Sequence, residues 1–384
     1  MRVLFVGPLS GFTSYPVVCK GLVQALTSAG FDLDIADTTW DGSPDHTAPV
    51  LMDEARSIRF LERKDVVKLV QEGVPYGSEG DVCVAVNPSH HMMGIKEKGY
   101  KIAGMFVGDV DEIPGAWKAL MERQDVILTP SSWGKHVISK AGVERPILVC
   151  NHGVSTEFTK GRLWPRGASD PFVFLHACSA IYYPERKGTP QALEAFSKLV
   201  QDRKDVSLRL VLGAKTKPMR KMLNALDQEV IERVQVNFQE GAREPLEIRD
   251  AYLSSHAGLF PSRAEGMGMM PIEMRACGVP VIQTTCTGHA DHLDPSLDPR
   301  DWGVTVIRSG EMVEAWGKFG RAPKVTAEDT YEAMVYCLEH YDRLHEAAQQ
   351  KAEAVQAGWS WEETTRPLVE WIRSLPQRPN DIVV

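Results

Sequence analysis

The chain is 384 residues long, more than one hydrophobic core usually organises, so two domains of roughly 150 to 200 residues each are expected. Apolar residues make up 43% and charged residues 24%, a globular composition far from that of disordered chains. A formal charge of -8 gives no general attraction for phosphate backbones or anionic lipid, although it leaves room for a local basic patch.

The first residues read as a strand at 2–6, a turn at 7–11 and a helix whose apolar stripe is Val18, Leu22 and Leu26, stopping at Gly30. No charged lead, long apolar stretch and cleavage site precede that strand, and no apolar run reaches the roughly 20 residues of a bilayer span. The expectation is a cytoplasmic protein without an integral membrane segment. Further strands are expected at 31–35, 81–86, 101–107, 125–128 and 146–150, with Ser132 capping a helix that ends near Gly142. Around 161–170 the composition turns to Gly, Pro, Arg and Ser without apolar periodicity, as a linker should.

A second alternating series follows, with strands at 172–177, Val206–Leu212, Val234–Phe238, Ala257–Phe260, 279–283 and Val304–Ile307. Short apolar runs alternating with helical patterns predict parallel sheets covered by helices on both faces. The fold class is therefore α/β, with two doubly wound Rossmann-like domains covering 1–165 and 168–358. At the end, Ser360 and Glu363 form a capping box, and Leu368, Trp371, Ile372 and Leu375 a helical stripe. That helix, within 360–384, is expected to pack back on the first domain, kinked or split by Pro367. The seven cysteines are scattered, odd in number and never in a CxxC arrangement, which suits buried thiols in a reducing compartment.

The most informative stretch is 261–273, Pro-Ser-Arg-Ala-Glu-Gly-Met-Gly-Met-Met-Pro-Ile-Glu, followed by Ala276, Cys277, Gly278, Val279, Pro280 and Val281. It joins a strand end to a helix start, where open parallel sheets bind their ligands and where glycines let backbone approach phosphate. Glu265 and Glu273 have seven residues between them, and carboxylates accept hydrogen bonds from vicinal hydroxyls of ribose or hexose.

This stretch resembles the donor-site signature of family-4 retaining glycosyltransferases of GT-B architecture, a resemblance that implies two domains facing each other across a cleft. The resemblance implies that Glu273 holds the nucleotide ribose, that Glu265 contacts the transferred sugar, and that backbone amides from Gly268 through Met269 to Met270 face the sugar and diphosphate. Gly266, Ser262 and, from the first half, Gly11 complete the implied donor-binding set. Met267 and Met269 stand where aromatic and aliphatic residues are common. A second match, 179–188 (Ser-Ala-Ile-Tyr-Tyr-Pro-Glu-Arg-Lys-Gly), resembles the family's phosphate loop and makes Arg186 and Lys187 the cations for the leaving diphosphate. Here the chain departs from the family, carrying Cys178 and Ser179 where many members carry Gly-Arg.

Weaker matches in family order are the stretch 108–117, the run 129–133 and the run 151–154. Asp109, just beyond an expected strand end, stands where the family places a polar residue near the reacting sugar. His289 and His292 lack a third ligand and are read as residues lining the donor pocket; His90 and His91 are read as a cleft or surface feature.

The expected activity is transfer of a sugar from a nucleoside-diphosphate sugar with retention of configuration. Neither a cofactor nor an obligatory metal is expected. The acceptor stays open among a small molecule, a glycan, a lipid and hydroxymethylated DNA. Alternatives are a nucleotide-sugar epimerase of the same fold and a non-catalytic nucleotide-sugar-binding relative. A glycoside hydrolase would leave Arg186, Lys187 and the glycine-rich turn without a task.

Overall fold

The computed structural model describes residues 2–9, 14–39, 58–72, 82–88, 93, 95–96, 99–161, 170–178, 184–212, 216–238, 244–316 and 319–376. Gly11, His90, His91, the 179–183 part of the expected phosphate loop and residues 162–169 lie outside them. The chain forms two compact units: Met1–Gly108, Ile113–Gly153 and Trp361–Val384 make the first, Asp109–Glu112 and Val154–Ser360 the second.

The first unit is built on a parallel sheet of β1 (Arg2–Gly7), β2 (Asp32–Asp37), β3 (Ile58–Phe60), β4 (Val82–Val86), β5 (Lys101–Met105), β6 (Val126–Thr129) and β7 (Ile147–Val149), in the order β3-β2-β1-β4-β5-β6-β7. Its central strands are buried along nearly their whole length, as in a sheet covered on both faces. Leu4, Val6, Cys83, Ala85, Ile102 and Ile127 form one core with Leu120 and Ile138 from the covering helices. The cap of the helix Ser132–Lys140 is Ser131, whose hydroxyl accepts from the Gly134 N–H; Ser132 is already helical.

The helix Trp361–Ser374 packs on the helix Ser14–Ser28 within this unit. Trp361 is 3% exposed and lies so close that a Cβ at Gly21 would sit 2.0 Å from its ring. Pro367 neither splits nor ends this helix, which runs on to Ser374. Burial of Leu368, Val369 and Ile372 beyond the proline holds it together.

The second unit has a parallel sheet of β8 (Phe172–Cys178), β9 (Val206–Leu212), β10 (Val234–Phe238), β11 (Ala257–Phe260), β12 (Val281–Thr284) and β13 (Val304–Ile307), in the order β10-β9-β8-β11-β12-β13. The strand order reverses between β8 and β11, which pair directly (Ala257 with Phe174, Gly258 with Leu175), so the crevice beyond their carboxyl ends is the natural ligand position. One core contains Phe174, Phe196, Leu208, Leu259 and Met334; the other contains Val154, Phe158, Leu175, Tyr252, Ile272 and Val281. Because Val154 and Phe158 belong to that second core, this unit begins before the 161–170 stretch that the composition marks as a linker.

An antiparallel hairpin of β14 (Met312–Glu314) and β15 (Arg321–Pro323) follows β13. Three-residue strands leave no periodicity to read, so the sequence gives no sign of it. Six cysteines are buried as expected, whereas Cys286 is half-buried. Among the described residues no helix is long and apolar enough to cross a membrane.

Candidate active site

Two loops meet beyond the carboxyl ends of β8 and β11. Gly188 starts the helix Thr189–Asp202 at φ 68°, and a Cβ there would lie 1.9 Å from the Pro261 carbonyl oxygen, so this close approach requires glycine. The Arg263 N–H donates to the Arg186 carbonyl at 2.9 Å, joining the loops by backbone. His176 fixes them from below, with Nδ1 2.8 Å from the Leu259 carbonyl and Nε2 2.9 Å from the Thr189 hydroxyl.

The side chains that follow form one ion cluster. Lys187 Nζ donates to Glu265 Oε1 and Oε2 at 2.6 and 2.7 Å. Arg186 Nη1 lies 3.5 Å from Glu265 Oε2, 3.1 Å from Asp109 Oδ2 and 3.2 Å from the Ala264 carbonyl. Burial would raise the Glu265 carboxyl, yet Lys187 and Arg186 hold it down at about 2. Asp109 is pushed up from the usual carboxylate range by the surrounding protein and by Glu265, against the pull of Arg186 and Lys187, although 36% of its side chain remains accessible.

The glycine-rich turn is held from behind. Gly268 has φ 79° and begins the helix Met269–Ala276, and a Cβ on it would meet His289 Nε2 at 2.3 Å. Gly266 lies against Gly288 so closely that a Cβ on Gly288 would sit 2.5 Å from the Gly266 carbonyl group. The Glu265 N–H donates to Thr287 Oγ1 at 3.0 Å, and Thr287 takes φ 52°, rare for a β-branched residue. His289 and His292 are both about 2% exposed and pack behind the turn. His289 Nδ1 lies 3.2 Å from Thr284 Oγ1, and His292 Nε2 lies 2.8 Å from the Met267 carbonyl. Burial pushes His289 down to about 4 and His292 well below its ordinary range, so both are neutral supports of the turn. Ser262 is buried and its carbonyl accepts from the Thr284 hydroxyl at 2.7 Å.

Glu273 has a separate partner. It is 7% exposed in the helix Met269–Ala276 and accepts from the Tyr252 hydroxyl at 2.7 Å. Burial lifts its carboxyl to about 7 against the opposing effect of that hydrogen bond. The structure thus gathers Glu265, Arg186, Lys187 and Asp109 around Gly266, and sets Gly268, Met269, Met270 and Glu273 along the first turns of the following helix. Tyr252, Thr287 and His289 are the supports that sequence reasoning missed. Tyr252 and Thr287 carry no motif, and His289 was read as a pocket-lining loop residue, with nothing in the sequence to show that it backs Gly268. Among the described residues no group of three or more His, Cys, Asp or Glu is arranged to hold a metal ion. A cavity of about 500 Å3 opens beside β13, lined in part by Val304, Val306 and Tyr336; it shares no residue with the ion cluster, and Arg308 at its edge is paired with Asp329 and Glu332.

Two parallel-sheet α/β units, one carrying an acidic pair, two cations and a glycine-rich helix start at its switch point, define a glycosyltransferase of GT-B fold. The chain belongs to the family described as "Family 4 Glycosyltransferase in conflict systems", whose model matches residues 136–368. Structural likeness extends over nearly the whole chain. Sucrose-phosphate synthase from Thermosynechococcus elongatus superposes with a TM-score of 0.67 at 15% identity, covering 97% of this chain and 98% of that one. A glycosyltransferase from Rickettsia africae gives 0.70 at 16% identity, covering 97% of both. Anabaena HepE, in complex with UDP and glucose, gives 0.66 at 14% identity, covering 98% of this chain and 100% of that one. In sequence, the D-inositol 3-phosphate glycosyltransferase of Corynebacterium urealyticum is 28% identical over 200 residues, 51% of this chain. The match spans less than half, 42%, of that relative's length.

Proposed function

We propose that the chain transfers a glycosyl group from a nucleoside-diphosphate sugar to an acceptor hydroxyl with retention of configuration. The observation that carries this reading is the ion cluster at the switch point, where Arg186 and Lys187 stand beside Glu265 at the mouth of a helix N-terminus. In the reaction, the bond from the anomeric carbon to the diphosphate oxygen breaks and its electron pair stays on that oxygen. Arg186 and Lys187 stabilise the charge that develops there, and so do the amides from Gly268 to Met270. The acceptor oxygen bonds to the anomeric carbon on the face the diphosphate leaves, and its proton passes to the departing phosphate. With two fixed cations in this role, no metal is required.

Glu273 serves the ribose hydroxyls and Glu265 the sugar. Lys187 gives Glu265 a second task, because the carboxylate also fixes the cation. The relatives support uridine as the first base to test: the Anabaena structure contains UDP and glucose. A thermal-shift panel of UDP, GDP, ADP and their sugars tests the donor reading, since a ligand at about a hundred times its dissociation constant adds roughly 2.7 kcal/mol. No shift with any of them would remove the proposal. With a donor and acceptor in hand, the anomeric coupling constant of the product by NMR reports retention, and an assay in chelator tests the metal-free reading.

A further inference from the structure

Asp109–Glu112 belong to the second unit, although their sequence neighbours on both sides belong to the first. Asp111 is what secures them. It is 6% exposed; its Oδ1 accepts from the Arg321 backbone N–H at 2.6 Å, and its Oδ2 accepts from Arg321 Nε and Nη2 at 3.1 and 3.0 Å. Its own N–H donates to the Arg321 carbonyl at 3.2 Å. Val110 fills the space between, packing with Ala264, Ala315 and Ala322, and Gly320 approaches it so closely that a Cβ there would lie 2.9 Å away. Four hydrogen bonds to one residue and a packed valine define the backbone on either side, including Asp109, whose Oδ2 lies 3.1 Å from Arg186 Nη1.

We propose that Arg321 is a positioning residue: by clasping Asp111 it holds Asp109 as an internal counter-anion on Arg186, which the diphosphate of a nucleotide must displace to reach that cation. The inference rests on the reading that Arg186 and Lys187 receive the diphosphate. The charges of Arg186 and Lys187 are balanced by those of Asp109 and Glu265, so a bound diphosphate leaves the cluster with excess negative charge. Glu265 is enclosed and gripped by Lys187, whereas Asp109 keeps 36% of its side chain accessible, so Asp109 is the member that gives way. A counter-anion competing for Arg186 weakens the hold on the nucleoside diphosphate product and speeds its release.

Calorimetric titration of the full chain with UDP, GDP and ADP tests this, using the nucleotide that binds the unmodified chain most tightly. Asp109→Asn should tighten that affinity about two- to fivefold, the scale of one partly exposed charge pair. Arg321→Ala should tighten it by a comparable factor and Arg321→Lys, which keeps one cationic contact, by less. The double variant should bind no more tightly than Asp109→Asn alone, because Arg321 acts through Asp109. Unchanged or weaker affinity in Asp109→Asn overturns the counter-anion. Tightening in Asp109→Asn alone, or additive tightening in the double variant, overturns the role of Arg321. If Arg321→Ala does not fold, an Arg321→Lys affinity equal to that of the unmodified chain overturns it equally. Lys187→Ala separates this from failure of the underlying reading: if the unmodified chain binds no nucleotide, or if Lys187→Ala binds as tightly as it does, the diphosphate site itself is wrong.

Discussion

Lys187 Nζ donates to both carboxylate oxygens of Glu265, across 78 positions of sequence. The carboxylate is 6% exposed at the side chain and the lysine 15%, so the pair stands largely out of water. Such a pair is costly to break on one side, because the remaining charge is left without its partner. Glu265→Gln should lower unfolding stability by about 3 kcal/mol and also lower transfer. Adding Lys187→Ala should cost less in the double variant than the two single losses summed. Denaturant melts of the four chains measure this, and strict additivity would argue against a coupled pair.

The two glutamates of the motif make opposite contributions to stability against pH. Glu273 is raised by burial from 4.5 to about 7, so its folded form favours the proton. Its contribution is fully present below pH 4.5 and is lost as pH rises through about 7, at a cost of about 3 kcal/mol. Glu265 is held at about 2 by Lys187 and Arg186 against burial, so its contribution is present above pH 4.5 and is lost as pH falls toward 2. Between about pH 5 and 7, the melting temperature of Glu273→Gln should gain on that of the unmodified chain and then level off above the folded value. Parallel curves would place Glu273 outside the buried environment described.

Nucleotide affinity should depend on the same carboxylate. Glu273→Gln removes a charge-assisted acceptor for the ribose hydroxyls, worth roughly 1.5 to 3 kcal/mol, so nucleoside diphosphate should bind more than about tenfold less tightly. Tyr252→Phe removes the hydrogen bond that favours the ionised form, so it should weaken binding near pH 7 and recover part of the loss at higher pH. Calorimetry at two pH values reads both effects; a pH-independent Tyr252→Phe would show that the hydroxyl does not act through Glu273.

The glycine positions divide by geometry. Gly268→Ala places a Cβ 2.3 Å from His289 Nε2 at φ 79°, which should cost about 1 to 3 kcal/mol and displace the helix start that faces the diphosphate. Gly108→Ala meets nothing within 4 Å and serves as the neutral control. Equal melting curves for the two variants would contradict the described turn.

Removing the chain from Trp361 onward strips Trp361, Leu368, Val369 and Ile372 from the first unit's interior. Large side chains of this kind contribute roughly 1.5 to 3 kcal/mol each when buried, so the shortened chain should be strongly destabilised. An unchanged thermal melt would refute the packing of this helix on Ser14–Ser28.

Much of this protein was legible in its sequence. Strand and helix periodicities are local, set by a few residues that must be apolar on the covered faces, and they suffice for two parallel-sheet units. The 261–273 stretch and the Arg186–Lys187 pair named the candidate residues because strand-to-helix turns carry their glycines and charges in one short run. The three-residue strands of the hairpin were not legible, since a single turn of alternation is indistinguishable from chance. Pro367, expected to kink or split the last helix, leaves it in one piece, because packing beyond the proline outweighs one missing hydrogen bond.

What only the tertiary structure decided is which residues meet. Asp111 and Arg321 are 210 positions apart, and Tyr252 reaches Glu273 from a neighbouring helix. Asp109 reaches Arg186 because Asp109–Glu112 are held in the second unit. Such encounters depend on strand order and on long-range packing, neither of which is encoded in any short window of sequence. The protonation of the two glutamates follows from the same cause. They are identical in type and close in sequence, yet one is enclosed with cations and the other with a tyrosine hydroxyl. A carboxylate's charge is set by the groups that surround it in space.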